Sequence, residues 1–268
     1  MENKDLILEF LSYPVENTDA LYERFAKLPG AVSDKGERPK EKYAYLRGAR
    51  EDRVLLVAHI DTVWDEEYIG KRELGEQLPT YKDGEFFSGN KKIGIGADDR
   101  AGCAMIWKMR QSGHSILILD GEERNRAGAR FLKESNRTLY KEISSHSFII
   151  ELDHLDTNHA SFRGVEVTSK FKKYIKEQTG FAEKGIKGRC DLDILCDNVC
   201  GVNVGIGYYD CHTPKERLVL SEWESTYNTL LAFLQKPQKR YKITLTCKIK
   251  RFAKRIINKI KRTLNRGK

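Results

Sequence analysis

Three unbroken apolar runs constrain this chain more than any other feature: Arg53–His59 (RVLLVAH), Ser115–Leu119 (SILIL) and Ser147–Leu152 (SFIIEL). Runs of this length without polar alternation read as strands covered on both faces. Helical patterns separate them, over Asp99–Gln111 and about Ala127–Glu134. Strands alternating with helices predict an α/β fold, with a mixed, mainly parallel central sheet, helices on both faces and right-handed crossovers. Two short helices come first: Leu6, Ile7, Phe10 and Leu11 recur at helical spacing, and a second pattern opens at Asn17 and ends by Lys27, before Pro29-Gly30. Farther on, Lys170–Lys176 fits a strand or a helix, Gly201–Tyr208 (GVNVGIGY) reads as a late strand, and Ser221–Leu234 as an amphipathic helix. With 268 residues and no internal repeat or long linker before Lys236, the chain reads as one large domain, 1–235, and a tail, 236–268.

Charge is unevenly placed. From Lys236 to Lys268 there are 14 basic residues and no acidic one; taking them from the total of 48 leaves 34 Lys and Arg against 39 Asp and Glu, so the body is net −5. That excludes a uniformly basic nucleic-acid binder. A hydrophobic fraction of 40% with 26 aromatic residues excludes a disordered chain. No apolar stretch approaches the ~18 residues that cross a bilayer. The start, Met1-Glu-Asn-Lys-Asp, has no basic segment followed by an apolar run, so the expected location is cytoplasmic and the six cysteines are expected reduced. Cys190, Cys196, Cys200 and Cys211 contain no C-x-x-C pair and read as small buried residues rather than a zinc knuckle.

The chemistry collects just beyond the apolar runs, where open α/β sheets place their ligand crevice. The first run ends in His59-Ile60-Asp61; alternation lets His59 and Asp61 share a face, so His59 can bind a metal while Asp61 orients it. Gly94–Asp99 leads into a helix, and its paired carboxylates Asp98 and Asp99 repel unless a cation or hydrogen bonds offset them. Taken singly, that pair reads as a helix cap. Asp120-Gly121-Glu122-Glu123 and Glu151-Leu152-Asp153 follow the next two runs, and His212 lies past the last apolar strand. A solvated charge run explains each alone, but their recurrence at successive strand ends suits one or two zinc-like divalent ions.

In this order, the motifs HIDTV, GADDRAG, DGEER with a following Ala-Gly-Ala, IELD and GYYDCHTPKE resemble the co-catalytic di-zinc exopeptidases. That superfamily includes compact bacterial aminopeptidases, peptidase T type tripeptidases and carboxypeptidase G type enzymes. The resemblance covers Val54–Phe233, about two thirds of the chain. It implies that His59 and Asp153 bind one zinc, that Glu123 and His212 bind the other, and that Asp98 bridges both. It further implies that Asp61 and Asp99 support these ligands, that the Asp98–Asp99 peptide is cis, and that Glu122 is the general base. The implied cofactor is two Zn²⁺ per chain, with Co²⁺ or Mn²⁺ as substitutes, and the implied activity is that of an aminopeptidase acting on free N-termini through a metal-bridging hydroxide. A carboxypeptidase or amide hydrolase on small acylated amino acids, a single-zinc acyl-transfer enzyme and a catalytically silent peptide-binding protein are the alternatives. The intact set of base and ligands argues against silence.

The family divides by a lid domain inserted after the third carboxylate ligand; 58 positions separate His154 from His212, too few for one, so a single catalytic domain without a lid is expected. Oxyanion help then has to come from elsewhere, with Tyr208 and Tyr209 as candidates. Cys190-Asp191 stands where relatives show Ser-Asp, which makes Asp191 a holder of a substrate amine or of a supporting hydrogen bond. Arg124 and Arg126 replace a glycine-rich turn and read as surface ion pairs or as contacts to a substrate carboxylate. Among the remaining histidines, His114, His146, His154 and His159, only His154 adjoins a ligand.

The tail carries Ile249, Phe252, Ala253, Ile256, Ile257, Ile260 and Leu264 at alternating spacings of three and four, with Lys and Arg between. This predicts a cationic amphipathic helix. Its partner is an anionic membrane surface, nucleic acid or an acidic protein, unless it packs on the body. Tyr241–Cys247 alternates like a strand and offers a tie between tail and body.

Overall fold

In the computed structural model, which describes residues 1–65, 74–162, 164–185, 189–253 and 256, the three apolar runs lie side by side in one sheet. The chain begins with α1 (Asn3–Leu11), α2 (Asp19–Ala26), β1 (Ala31–Lys35), β2 (Lys42–Leu46) and β3 (Leu55–His59). Next come β4 (Pro79–Lys82), β5 (Glu85–Ser88), α3 (Ala97–Met109), β6 (Ser115–Leu119), α4 (Ala127–Ser135), α5 (Arg137–Ile143) and β7 (Ile149–His154). The rest is β8 (His159–Ser161), α6 (Ser169–Thr179), β9 (Ala182–Glu183), α7 (Leu192–Leu195), β10 (Gly201–Gly205), β11 (Tyr208–Tyr209), β12 (Arg217–Val219) and α8 (Leu220–Leu234).

The main sheet has the order β1-β2-β6-β3-β7-β10-β8-β9. Its centre, β6-β3-β7-β10, is parallel, and β1 and β2 continue it antiparallel at one side. β3, β6 and β10 are buried along their whole length, which is why their sequences show no alternation. Helices cover both faces. α3 lies against β3 and β7, and Trp107 on it packs with Phe10 and Phe25 of α1 and α2. Across the sheet, Tyr43 meets Phe131 of α4, and the Tyr45 hydroxyl donates to Glu142 of α5. The connection from β3 runs to β6 on one side, whereas that from β7 runs to β10 on the other. The sheet therefore has its switch point between β3 and β7, where a crevice opens beyond the strand ends.

A second, four-stranded sheet, β11-β12-β5-β4, was not foreseen from the apolar runs. Its hairpin turns at Asp83-Gly84, both with positive φ, a strong turn signal whose flanking strands are too exposed to stand out by apolarity. The expected single strand Gly201–Tyr208 is two: the chain bends at Ile206-Gly207 and passes from one sheet to the other. Gly207 sits at φ +90° with Glu222 and Trp223 against its open side, so no side chain fits there. Lys170–Lys176 belongs to helix α6, capped by the Thr168 hydroxyl on Phe171 N. Among the described residues, every element between Asp153 and His212 joins the main sheet or packs on it, except the two-residue β11, which joins the second sheet, so no lid domain is inserted there.

Tyr241–Cys247 is not a strand. Lys242 makes one bridge with Val199, Tyr241 bonds to Ser147 and Cys200, and residues 245–253 turn helical, with Thr244 Oγ1 accepting from Cys247 N. Alternation there marks an extended tie whose buried positions, Tyr241 and Ile243, dock on the body. The expected tail helix thus starts at Leu245 rather than Ile249; Lys254, Arg255 and 257–268 lie outside the described residues.

Gly102 ties the fold to the crevice. A methyl group on it would lie 2.3 Å from both Asp99 Oδ1 and Leu152 O. Gly102→Ala is expected to destabilise the protein by ~1–3 kcal/mol through overpacking, whereas Gly185→Ala, with open space around it, should be near neutral. Thermal denaturation of both variants checks this.

Candidate metal centre

His59 closes β3 and Asp153 lies near the end of β7, so the two ends flanking the switch point face each other, with His59 Nε2 3.4 Å from Asp153 Oδ1. Asp98, at the start of α3, reaches between them and a second group. Its Oδ1 lies 3.1 Å from His59 Nε2 and its Oδ2 lies 3.1 Å from His212 Nε2. His212 Nε2 is also 2.6 Å from Glu123 Oε1. The sequence-predicted residues thus form two pairs, His59 with Asp153 and His212 with Glu123, joined by the two oxygens of one carboxylate. Glu122 lines the same cavity, about 300 Å³ in volume, with Asp98, Glu123, Asp153 and His212.

Backbone anchors hold this cluster. Asp61 accepts from Glu122 N and Glu123 N through its two oxygens at 3.1 and 3.2 Å, and its carboxylate lies 3.3 Å from His59 Nδ1. Asp99 accepts from His59 N and from Gly102 N, so it does cap the helix as well as brace the strand end. The Asp98–Asp99 peptide is cis. Asn203 grips Asp153 in both directions, accepting from its N and donating to its O, and the Tyr208 hydroxyl donates to Asp153 Oδ1.

The donor set fits a divalent cation. His59 Nδ1 donates to the Asp61 carbonyl at 3.0 Å, because a carbonyl oxygen can only accept. Nε2 then faces the carboxylate oxygens of Asp98 and Asp153; against burial, the charges and hydrogen bonds of Asp153, Asp61 and Asp98 raise His59 well above its ordinary range, so that a proton on Nε2 stands where a metal ion would. The carboxylates carry the same message. Burial and the Asp98 charge push Asp153 up to about 7, and burial with Asp153 nearby raises Glu122 well above its ordinary range. Burial also raises Glu123, whereas at Asp98 the hydrogen bonds of His212 and His59 outweigh burial and hold it low. Asp98 and Glu123 raise His212 to about 11. Without metal, protons stand where cations would. Zinc added near pH ~6.5 is therefore expected to release protons, since its ligands bind deprotonated, and its affinity should rise with pH. Calorimetry in two buffers of different ionisation heat measures this; proton uptake would contradict it.

Other expected residues are elsewhere. The Tyr209 hydroxyl donates to Asp156 and Glu222, not into the cavity. Asp191 is fully buried, both carboxylate oxygens lack a hydrogen-bond partner, and burial raises it to about 8. Its N donates to Glu151, a buried residue of the IELD motif with no expected role at the site. Arg126 is neither at the surface nor free for substrate, being buried against Asp193 at 2.9 Å. Asp120 binds Thr18 and Lys42, away from the cluster. Of the cysteines, Cys190 and Cys211 line the cavity.

Glu216 and Arg189 were not foreseen from the sequence, and His154 only as the neighbour of Asp153. Glu216, fully buried inside GYYDCHTPKE, accepts from Gly96 N at 2.8 Å and Asp98 N at 3.0 Å and so fixes the backbone of the joining carboxylate. The one available signal is a carboxylate four residues after His212. Arg189 lines the cavity with its Nε on Asp193. His154 lines it too, in a chain of defined direction: His159 Nδ1 donates to Thr157 O, so His159 Nε2 accepts from His154 Nδ1 at 2.8 Å. Burial lowers both imidazoles and keeps them neutral, which leaves His154 Nε2 as an acceptor.

The chain shares its α/β fold with solved peptidase structures of low sequence identity. Among solved structures, it is similar to the aminopeptidase PepT from Bacillus cereus, with 13% identity, 88% of this chain and 98% of that chain covered, and a TM-score of 0.64. A tripeptidase from Staphylococcus aureus is similar at 14% identity, with 87% and 97% covered and a TM-score of 0.60. So is the TET1 peptidase from Pyrococcus horikoshii, which can assemble into a tetrahedron or a large octahedral shell, at 12% identity, 87% and 99% covered and a TM-score of 0.59. No protein-family model matches the chain, and no curated protein matches it by sequence.

Proposed function

We propose that this chain is a metal-dependent exopeptidase that removes residues from the free amino end of peptides. The observation that carries the reading is Asp98, whose two oxygens face two separate histidine–carboxylate pairs above a cavity that also holds Glu122. His59 and Asp153 would hold one zinc, His212 and Glu123 a second, with Asp98 shared. Bound there, the ions would acidify a water molecule and polarise the scissile carbonyl. Glu122, buried and raised well above the usual carboxylate range, takes up the proton released by the attacking water and delivers it to the departing amine. Asp61 keeps Glu122 and Glu123 in register through their backbone N–H groups. His154 Nε2, an acceptor by the direction of its hydrogen-bond chain, suits a protonated α-amino group. Arg189 favours a second reading, a carboxypeptidase or amide hydrolase whose substrate carboxylate it would meet.

Incubating metal-loaded protein with a peptide pool, half of it N-acetylated, and reading products by mass spectrometry separates these. Chelator-sensitive shortening from free amino ends alone is expected. Shortening from the other end or release of acetyl groups would move the function to the second reading, and no products would leave a peptide-binding protein. Glu122→Gln is expected to lower turnover by ~10²–10⁴ or more with metal content unchanged. Metal analysis beside the kinetics checks it; loss of metal would mean that Glu122 is a ligand.

A further inference from the structure

The helix that starts at Leu245 is turned inside out. Cys247 is buried, and Arg251 donates to the carbonyls of Cys196, at 2.7 Å, and Asp193, so the helix meets the body with its polar side. Its apolar side faces away: Leu245 is 73% exposed, Ile249 60%, Phe252 66% and Ile256 44%. At ~100° per residue these four positions project within about 60° of one another, one continuous stripe. Among the described residues only Met1, Val32 and Leu78 are exposed apolar side chains of comparable size elsewhere, so the stripe is the one place where they cluster. No described helix is long and apolar enough to cross a membrane.

We propose that this helix seats the protein on an anionic lipid surface, with Leu245, Ile249, Phe252 and Ile256 entering the boundary between headgroups and acyl chains. Charge decides the occupant. The segment from Lys236 carries 14 basic residues and no acid, so a second copy would bring like charge to the stripe, whereas anionic headgroups neutralise the cations that flank it. Nucleic acid would match the charge but has no use for four outward apolar side chains.

Flotation of the full-length, zinc-loaded protein with vesicles of phosphatidylcholine alone or with about one third phosphatidylglycerol tests this. Binding is expected to the anionic vesicles only and to weaken with salt. Ile249→Ser with Phe252→Ser, which keeps every charge, should weaken binding at least about ten-fold. Lys248→Gln with Lys250→Gln, which keeps the stripe, should weaken it roughly 25-fold, at about five-fold per charge. An unchanged thermal midpoint shows that each variant is folded. Three results would overturn the proposal: no vesicle binding, vesicle binding indifferent to the Ser pair, or, without vesicle binding, a dimer seen by sedimentation that the Ser pair abolishes. Tight binding of duplex DNA in place of vesicles, equally indifferent to the Ser pair, would assign the tail to nucleic acid.

Discussion

Carboxylates packed together in a buried crevice repel, and the rest of this structure depends on how that repulsion is contained. Asp98, Glu122, Glu123 and Asp153 converge with imidazoles and the Tyr208 hydroxyl, and among the described residues with no Lys or Arg, within hydrogen-bond reach of their oxygens. The fold supplies no neutralising cation of its own, so the crevice is electrostatically incomplete without protons or metal ions. What it supplies is geometry. Three further buried carboxylates, Asp61, Asp99 and Glu216, spend their oxygens on backbone N–H groups next to the cluster, and thereby fix where each converging side chain starts. The outer acids take hydrogen bonds from the main chain, whereas the inner ones face imidazoles and, at Asp153, the Tyr208 hydroxyl.

Most of the parallel sheet was legible because its strands are buried on both faces and therefore unbroken in apolarity. The same criterion hid β4 and β5, whose half-exposed strands carry the stronger turn signal, Asp83-Gly84. It also misled at Tyr241–Cys247, where alternate burial comes from a tether lying on the body, without strand partners on either side. Gly207 explains the division of GVNVGIGY: the pattern reports that the residues are buried, not that the chain changes sheets midway.

At the crevice, the order of motifs named the converging residues, because these lie at strand ends and just past them. Residues that act through the backbone were harder to find. Glu216 has no apolar run before it, and its partners are main-chain groups 118 and 120 positions away. His154 was legible only as a neighbour of Asp153; the direction of its hydrogen bonds depends on two carbonyls, which no sequence pattern reports. Arg126 reads as a surface charge until Asp193, 67 positions away, is placed beside it.

Asp193 has a second consequence. Its carboxylate holds Arg126 and the cavity residue Arg189, while its carbonyl, with that of Cys196, is held by Arg251 from the tail. These carbonyls lie at the short helix α7, where backbone acceptors lack intrahelical donors, so a single guanidinium serves as the rivet between tail and cavity wall. A displacement of the tail helix would thus act on Asp193, whose carboxylate also holds Arg189. Such a connection works in both directions or in neither: if filling the cavity shifts α7, it changes the tail's hold on its partner by the same factor by which that partner changes the hold of the cavity.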